Sequence, residues 1–401
     1  MIKKILKSIE YSRTSITKIL FADERKASIL LLLVAIIALI LANSAWSSNY
    51  FEIVNNKVSF LGVTLSLQHW VNEGLMALFF LMVSIEIKRE LIDGELKGWK
   101  RASFPVVAAI GGMLLPALIF SLINPINPYS NGWAIPMATD IAIAVTIIGL
   151  LGKRVPKYLK SFLLALAIVD DLGAILIISL YYNQPSNYTY LILVGILVAL
   201  LWAIRKTKKQ LLWFGILGSI ILWLLLASGV SGTLAGVLVG FLMPLVSSKN
   251  VKTEKAQPSE ELERVLIPLV LFVIVPLFVL VNAGVNFSSI VVTSSEDKRL
   301  IAGIVLGLVI GKPLGVLLFS YVANFFKITH KPNNISWSQI VGVGFIAGIG
   351  FTMALFITNL AFKGQDNLIN IATVSIFIGS IMSAVTGIMV LFLSKRKHLN
   401  G

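Results

Sequence analysis

The chain has no cysteine, only three histidines and little charge: 13% of its 401 residues are Asp, Glu, Lys or Arg. Without cysteine there is no disulfide and no thiolate metal site. His69, His330 and His398 fall in predicted loops, tails or interfacial positions, which argues against a histidine metal cluster. With 57% hydrophobic residues, a soluble domain of this size would have to leave apolar surface in water. A polytopic membrane protein is the class that remains. Acidic residues are scarcer than basic ones, 19 against 34, for a net charge of +15. In a soluble protein that excess would suggest nucleic acid. Here the basic residues collect on one side of the predicted membrane, so the excess reads as topology and no nucleic acid partner is expected. A cleaved signal peptide is not expected either, because the first apolar run starts near Ala27 after a long basic segment.

What the sequence has in abundance is apolar runs of membrane-spanning length, about 20 residues each. Twelve windows stand out: 28–46, 71–92, 103–123, 133–151, 158–182, 189–204, 211–226, 229–246, 265–286, 300–325, 338–362 and 370–394. With the N-terminus inside, 29 of the 34 basic residues fall on the cytoplasmic side. Lys57, Lys298, Arg299 and Lys363 fall outside, and Lys312 lies within a span. The expectation is an all-α polytopic protein of about twelve helices, one transmembrane domain over 1–401, with both termini cytoplasmic. In residues 1–26, Ile2, Ile5, Leu6 and Ile9 at helical spacing among lysines fit an amphipathic helix on the inner membrane surface. The long outer loop, 47–70, contains FEIVNNKVSFLGVTL, which reads as a β-hairpin centred on Asn55–Asn56 and a candidate subunit contact, or as an irregular loop.

Four charges lie deep in spans: Asp140, Asp170, Asp171 and Lys312. Asp170 and Asp171 are the only charged residues from Ser161 to Ile204. A charge at the bilayer centre costs roughly 2.5–3.5 kcal/mol on insertion scales, so such residues mark ion or proton paths by default. Adjacent helical positions point about 100° apart, so one aspartate can face water while its neighbour reaches a partner. Carboxylate and hydroxyl oxygens suit a small hard cation such as Na⁺ or Li⁺, and the same carboxylates bind H⁺. Burial and a cationic neighbour pull a carboxyl's proton affinity in opposite directions. Competition for one site, with alternating access, then couples opposed fluxes. Asp140 has a structural reading as well, compensation of a broken helix's termini. For Lys312 a salt bridge and direct proton carriage both fit.

Spans 3–5 and 10–12 form triplets of opposite orientation, an inverted repeat. The middle member of each is weakened as a helix: span 4 by Pro136, Thr139 and Asp140, span 11 by Gly342, Gly344, Gly348 and Gly350 before Thr352. Paired interruptions of this kind point to a transporter binding site. Span 2 ends in Glu86, Lys88, Arg89 and Glu90, either a solvated helix end with snorkelling side chains or an entrance and pH-sensing cluster. Glu73, at its other end, reads as interfacial. The GKP at Gly311–Pro313 lacks the hydroxyl residue of a phosphate-binding loop, and Leu306 stands where that loop needs its first glycine. The chain does not read as an enzyme, and no cofactor is implied.

The strings GWAIPMATDIAIAV (132–145), LALAIVDDLGAI (164–175), GKPLGV (311–316) and GIGFTMALFI (348–357) resemble the NhaA-type bacterial sodium/proton antiporters. So do NEGLMALFFLMVSIEIKREL (72–91) and VPLFVLVNAGV (275–285), and the similarity covers nearly the whole chain. That family is itself a standard example of an inverted-repeat transporter. The resemblance implies an electrogenic inner-membrane exchanger that expels Na⁺ or Li⁺ and admits two protons per metal ion, with a role in sodium and pH homeostasis. It assigns ion and proton exchange to Asp171 and Asp170, with Lys312 as Asp170's partner in the ion-free state. Thr139 and Asp140 would lie in an unwound stretch of span 4, with Thr139 beside the transported ion. Asp140 and Lys312 would offset the partial charges of broken spans 4 and 11. Glu86, Arg89, Glu90 and Glu263 match the family's cytoplasmic pH-sensing cluster, and the outer hairpin would mediate a homodimer. Ser231, Arg264 and Ile267 stand where well-studied members of the family have histidines, which implies a shifted or flatter pH profile. The competing reading is a sodium-coupled symporter of an organic anion on a related fold.

Overall fold

The computed structural model describes residues 25–60, 62–94, 98–152, 155–182, 187–205, 207, 210–245, 258–332 and 335–394. The surface helix expected within 1–26 falls almost wholly outside them. Nearly all of the described backbone is helical. The first helix, α1, runs Arg25–Ala42. After α2 (Ser47–Asn55) and a β-hairpin comes α3, residues 67–93, built from Leu67–Trp70, a π-helical turn Val71–Leu75 and Met76–Asp93. Then follow α4 (Trp99–Ile123), a 3₁₀ segment Tyr129–Met137, α5 (Ile141–Leu150), α6 (Lys157–Tyr181), α7 (Tyr188–Ile204), α8 (Gln210–Ser228) and α9 (Thr233–Leu242). The last third holds α10 (258–282), α11 (295–325), α12 (Trp337–Ala347), α13 (Phe351–Ala361) and α14 (Asp366–Leu393). A described helix lies at each of the twelve apolar windows. Among the described residues eight helices are long and apolar enough to cross a membrane, or nine if the bent pair α12–α13 is one span.

The distribution of apolar side chains is that of a bundle in lipid. On α1, Leu31, Ala35, Ala38 and Ala42 are buried, while Ile29, Leu33, Ile36 and Ile40 are exposed. Hydrophobicity all round a helix means its outward face has no water to avoid. Small residues set the close crossings. At the α4–α11 crossing a Cβ on Gly111 would lie 2.3 Å from the Gly315 carbonyl oxygen, and one on Gly315 would lie 2.1 Å from that of Gly111. The two backbones therefore touch.

The hairpin exists but is not centred where the sequence pattern suggested. Asn55 ends α2 and Asn56 follows it. The strands are Lys57–Phe60 and Val63–Ser66, paired antiparallel from Lys57–Ser66 to Phe60–Val63. Between the strands lies Gly62, with φ +83°, a left-handed conformation that glycine adopts without Cβ strain. The expectation failed because Asn-Asn is also a signal for ending a helix or turning the chain, and here it marks the end of α2 rather than the reversal of the hairpin.

Candidate functional site

Two helices break at the same depth in the bundle. The first break separates the 3₁₀ segment Tyr129–Met137 from α5. Pro136 removes a backbone donor, Ala138 is extended, and Asp140 caps α5 by accepting from Ile143 N at 3.0 Å. Asp and Thr side chains compete with the helical ladder for backbone groups, which is why the chain opens at Thr139–Asp140. The second break, Gly348–Gly350, bends α12 against α13 by 49°. Glycine is required there: a Cβ on Gly348 would lie 2.4 Å from the Leu308 carbonyl oxygen. The breaks touch directly, with Asp140 N donating to Ile349 O at 2.7 Å.

The ends of the four half-helices are matched by charge. Both N-terminal ends face Asp140, whose Oδ2 accepts from Thr352 N at 3.1 Å and from Thr352 Oγ1 at 2.6 Å. Both C-terminal ends face donors. Lys312 Nζ donates to Met137 O, and Thr139 Oγ1 donates to Ala347 O at 2.8 Å. Negative charge at helix N-termini and positive charge at C-termini complement the helix dipoles. In the membrane interior these backbone groups have no water to satisfy them.

The aspartate pair arrives on α6, which runs unbroken through it near the helix midpoint. Asp170 points to the crossing: its Oδ2 accepts from Lys312 Nζ at 2.6 Å and Thr139 Oγ1 lies 2.7 Å away. Its Oδ1 is buried without a hydrogen-bond partner. Lys312 and Asp170 are both fully buried in side chain. Lys312 follows a π-helical turn, Gly307–Gly311, an irregularity that often marks functional positions. Asp171 turns away from these bonds. Among the described residues nothing donates to it, although Asp170, Glu86, Asp140 and Lys312 all lie within electrostatic reach.

Asp140, Thr139, Asp170, Asp171 and Lys312 thus converge in one place. Glu86, Arg89, Glu90 and Glu263 form a second group. Arg89 pairs with Glu263 at 2.5 Å, and Glu86 feels Glu90, Glu263 and Arg89. Glu86 is exposed between Ile85 and Ile87, both buried. Lys88 is not a snorkelling side chain: its Nζ donates to Phe241 O and Met243 O, each at 2.6 Å. Glu73 is not simply interfacial, because its carboxylate accepts from Ser231 Oγ and Gly232 N. Sequence reasoning named Thr352 as part of the break but did not assign it to Asp140. A hydroxyl residue in the first turn after a glycine break was the available signal. The carbonyl acceptors Met137 and Ala347 carried no signal at all.

Residues 18–391 match the family model for Na⁺/H⁺ antiporter 1. The chain belongs to that family. It is 40% identical to the Na⁺/H⁺ antiporter NhaA of Helicobacter acinonychis (strain Sheeba) over 94% of each chain. It is 43% identical to NhaA of Escherichia coli O139:H28, over 92% of this chain and 95% of that one. NhaA 2 of Aliarcobacter butzleri is 38% identical, with 94% and 96% covered. NhaA-family proteins are transporters rather than enzymes. Membership together with the apolar helices makes this chain a multi-pass membrane protein.

Proposed function

We propose that this protein exchanges cytoplasmic Na⁺ or Li⁺ for external H⁺ across a bacterial inner membrane, at the Asp170–Asp171 pair. The observation that carries the proposal is the contrast between the two carboxylates. Asp170 takes the Lys312 ammonium and has Thr139 Oγ1 2.7 Å away, whereas among the described residues nothing donates to the buried Asp171 beside it. A buried carboxylate without donors has strong reason to take up a cation, be it a proton or a metal ion. Asp171, Asp170 and Thr139 Oγ1 supply hard oxygen ligands of the kind small cations prefer.

In the ion-free state Lys312 neutralises Asp170, and Asp171 is open to protonation. Entry of Na⁺ displaces protons from the shared site, and the Lys312–Asp170 pair opens to give the ion its second carboxylate. Two protons exchanged for one Na⁺ move one net positive charge, so transport is electrogenic. Asp140 and Lys312 keep the broken helices in register while the site alternates between the two sides. Twelve crossings with both termini cytoplasmic accord with the distribution of basic residues. The cluster of Glu86, Arg89, Glu90 and Glu263 serves as cytoplasmic entrance and pH sensor. The outer hairpin serves as a homodimer contact, and lipid surrounds the apolar perimeter.

The test uses purified protein in liposomes with an acid interior and the voltage clamped by valinomycin. Na⁺, Li⁺ or K⁺ is added outside and internal pH is followed. Alkalinisation by Na⁺ and Li⁺ but not K⁺, lost in Asp171→Asn, is the expected result. Absence of ion-dependent proton movement between about pH 6 and 9, a window set by tuned carboxyl groups, would reject exchange. The search would then turn to Na⁺ uptake stimulated by organic anions.

A further inference from the structure

The ten-residue α9 is about 15 Å long against roughly 30 Å of hydrocarbon, so its crossing is completed by non-helical chain at its ends. Its ends therefore fall where backbone groups need protein partners. No side chain of its own caps its N-terminus. α3 supplies partners at both ends. At the start of α9, Glu73 Oε2 accepts from Gly232 N at 2.7 Å and from Ser231 Oγ at 2.8 Å. At its finish, Lys88 Nζ donates to Phe241 O and Met243 O. The anion sits at the N-terminus and the cation at the C-terminus, as the helix dipole favours.

Between these two points the helices lie backbone to backbone. A Cβ on Gly236 would lie 1.9 Å from the Ala77 carbonyl oxygen, and one on Gly240 would lie 2.7 Å from Ser84 Cβ. Glycines at this spacing allow only a narrow range of axial positions, since sliding brings larger residues into the contact. Glu86 sits two residues before Lys88 on the same helix, exposed and within electrostatic reach of Asp171.

We propose that Glu73 and Lys88 are positioning residues: together they lock the axial register of α3 on α9 and so hold Glu86 at its distance from Asp171. The inference rests on the exchanger reading for its functional arm. Lys88 acts through Glu86 and touches no transported ion.

The experiment compares wild type, Lys88→Met, Lys88→Arg and Glu73→Gln in proteoliposomes, reading Na⁺-dependent proton flux. Hydrogen exchange by mass spectrometry is measured on the same proteins. Lys88→Met is expected to raise the apparent KM for Na⁺ about tenfold while Vmax stays within about twofold. Lys88→Arg, which keeps a cation in reach of both carbonyls, restores most of the loss. Glu73→Gln moves KM in the same direction by a smaller factor. In hydrogen exchange, Lys88→Met should deprotect the last turn of α9 and the Glu86 turn of α3 together. An unchanged KM in Lys88→Met overturns the proposal, as does a defect that arginine fails to restore or deprotection confined to α9. If wild type shows no exchange, the transport reading fails, and paired deprotection still decides the clamp. If Lys88→Met does not fold, Glu73→Gln and Lys88→Arg decide it by the same KM and exchange criteria.

Discussion

Asp140 and Thr352, far apart in sequence, join two broken helices through one carboxylate: Thr352 donates both its backbone N–H and its hydroxyl to Asp140 Oδ2. The other oxygen of the same carboxylate caps α5 through Ile143 N. One charge therefore serves two helix ends, and its removal is felt on both.

Thr352→Val keeps the shape and loses the hydroxyl donor. A hydrogen bond to a charged group contributes about 1.5–3 kcal/mol, so a loss of stability in that range is expected. Thr352→Ser should recover most of it. Thermal unfolding in detergent, monitored on both variants, checks the pair. A Val variant as stable as wild type would mean that the backbone N–H alone satisfies Asp140.

The two central aspartates should separate stability from transport. Asp171 has no hydrogen bond among the described residues, so Asp171→Asn is expected to melt near wild type and to exchange no ions. Asp170→Asn strands the buried Lys312 ammonium, and breaking a buried pair from one side costs about 3–5 kcal/mol. Comparing melting temperatures with liposome flux tests both halves. Substantial Na⁺-driven proton flux in Asp171→Asn would sink the assignment of the site.

Gly315→Ala probes the backbone contact that carries Lys312. The added Cβ would stand 2.1 Å from the Gly111 carbonyl oxygen, so α11 must move away from α4. Overpacking of this kind costs about 1–3 kcal/mol or more. Because Lys312 lies one turn away on α11, slower exchange is expected alongside the lower melting temperature. Loss of stability with wild-type flux would show that Lys312 tolerates the shift.

His69, in the first turn of α3 beside the hairpin, offers a pH test at a position the sequence places outside the spans. Burial pushes its imidazole below the ordinary value, and Lys363 adds to the effect. The folded protein thus binds this proton less readily than the unfolded chain does. The neutral form's contribution is fully present above the unfolded pKa, near 6.5 for His, and is lost as pH falls through the folded one. His69→Gln should flatten the stability decline on acidification below about pH 6.5. An identical slope in both proteins would remove His69 from the account.

Deleting the hairpin tip tests the homodimer. With residues 58–65 replaced by a short glycine-serine link, the purified protein is expected to run as a monomer in size-exclusion chromatography with light scattering. Persistent dimers would place the subunit contact elsewhere.

Much of this protein is determined by the sequence alone, because apolar runs and isolated charges are local facts. Each apolar window holds a helix, and the charges at 140, 170, 171 and 312 announce themselves by their rarity within those windows. Pro136 and the glycines before Thr352 mark both breaks, since a missing donor and missing side chains weaken a helix wherever they occur. Which groups meet is settled by helix packing. That Asp170 rather than Asp171 takes Lys312, which beforehand only the family resemblance implied, follows from how α6 is rotated against α11, and a doublet of identical residues carries by itself no information about that rotation. The partners of Asp140 at Thr352, of Lys312 at the Met137 carbonyl, and of Lys88 at the end of α9 are backbone or distant groups. Their pairing depends on the depth and angle at which helices cross. Those are set by close contacts such as Gly111 on Gly315 and Gly236 on Ala77, where the absence of a side chain lets two backbones touch.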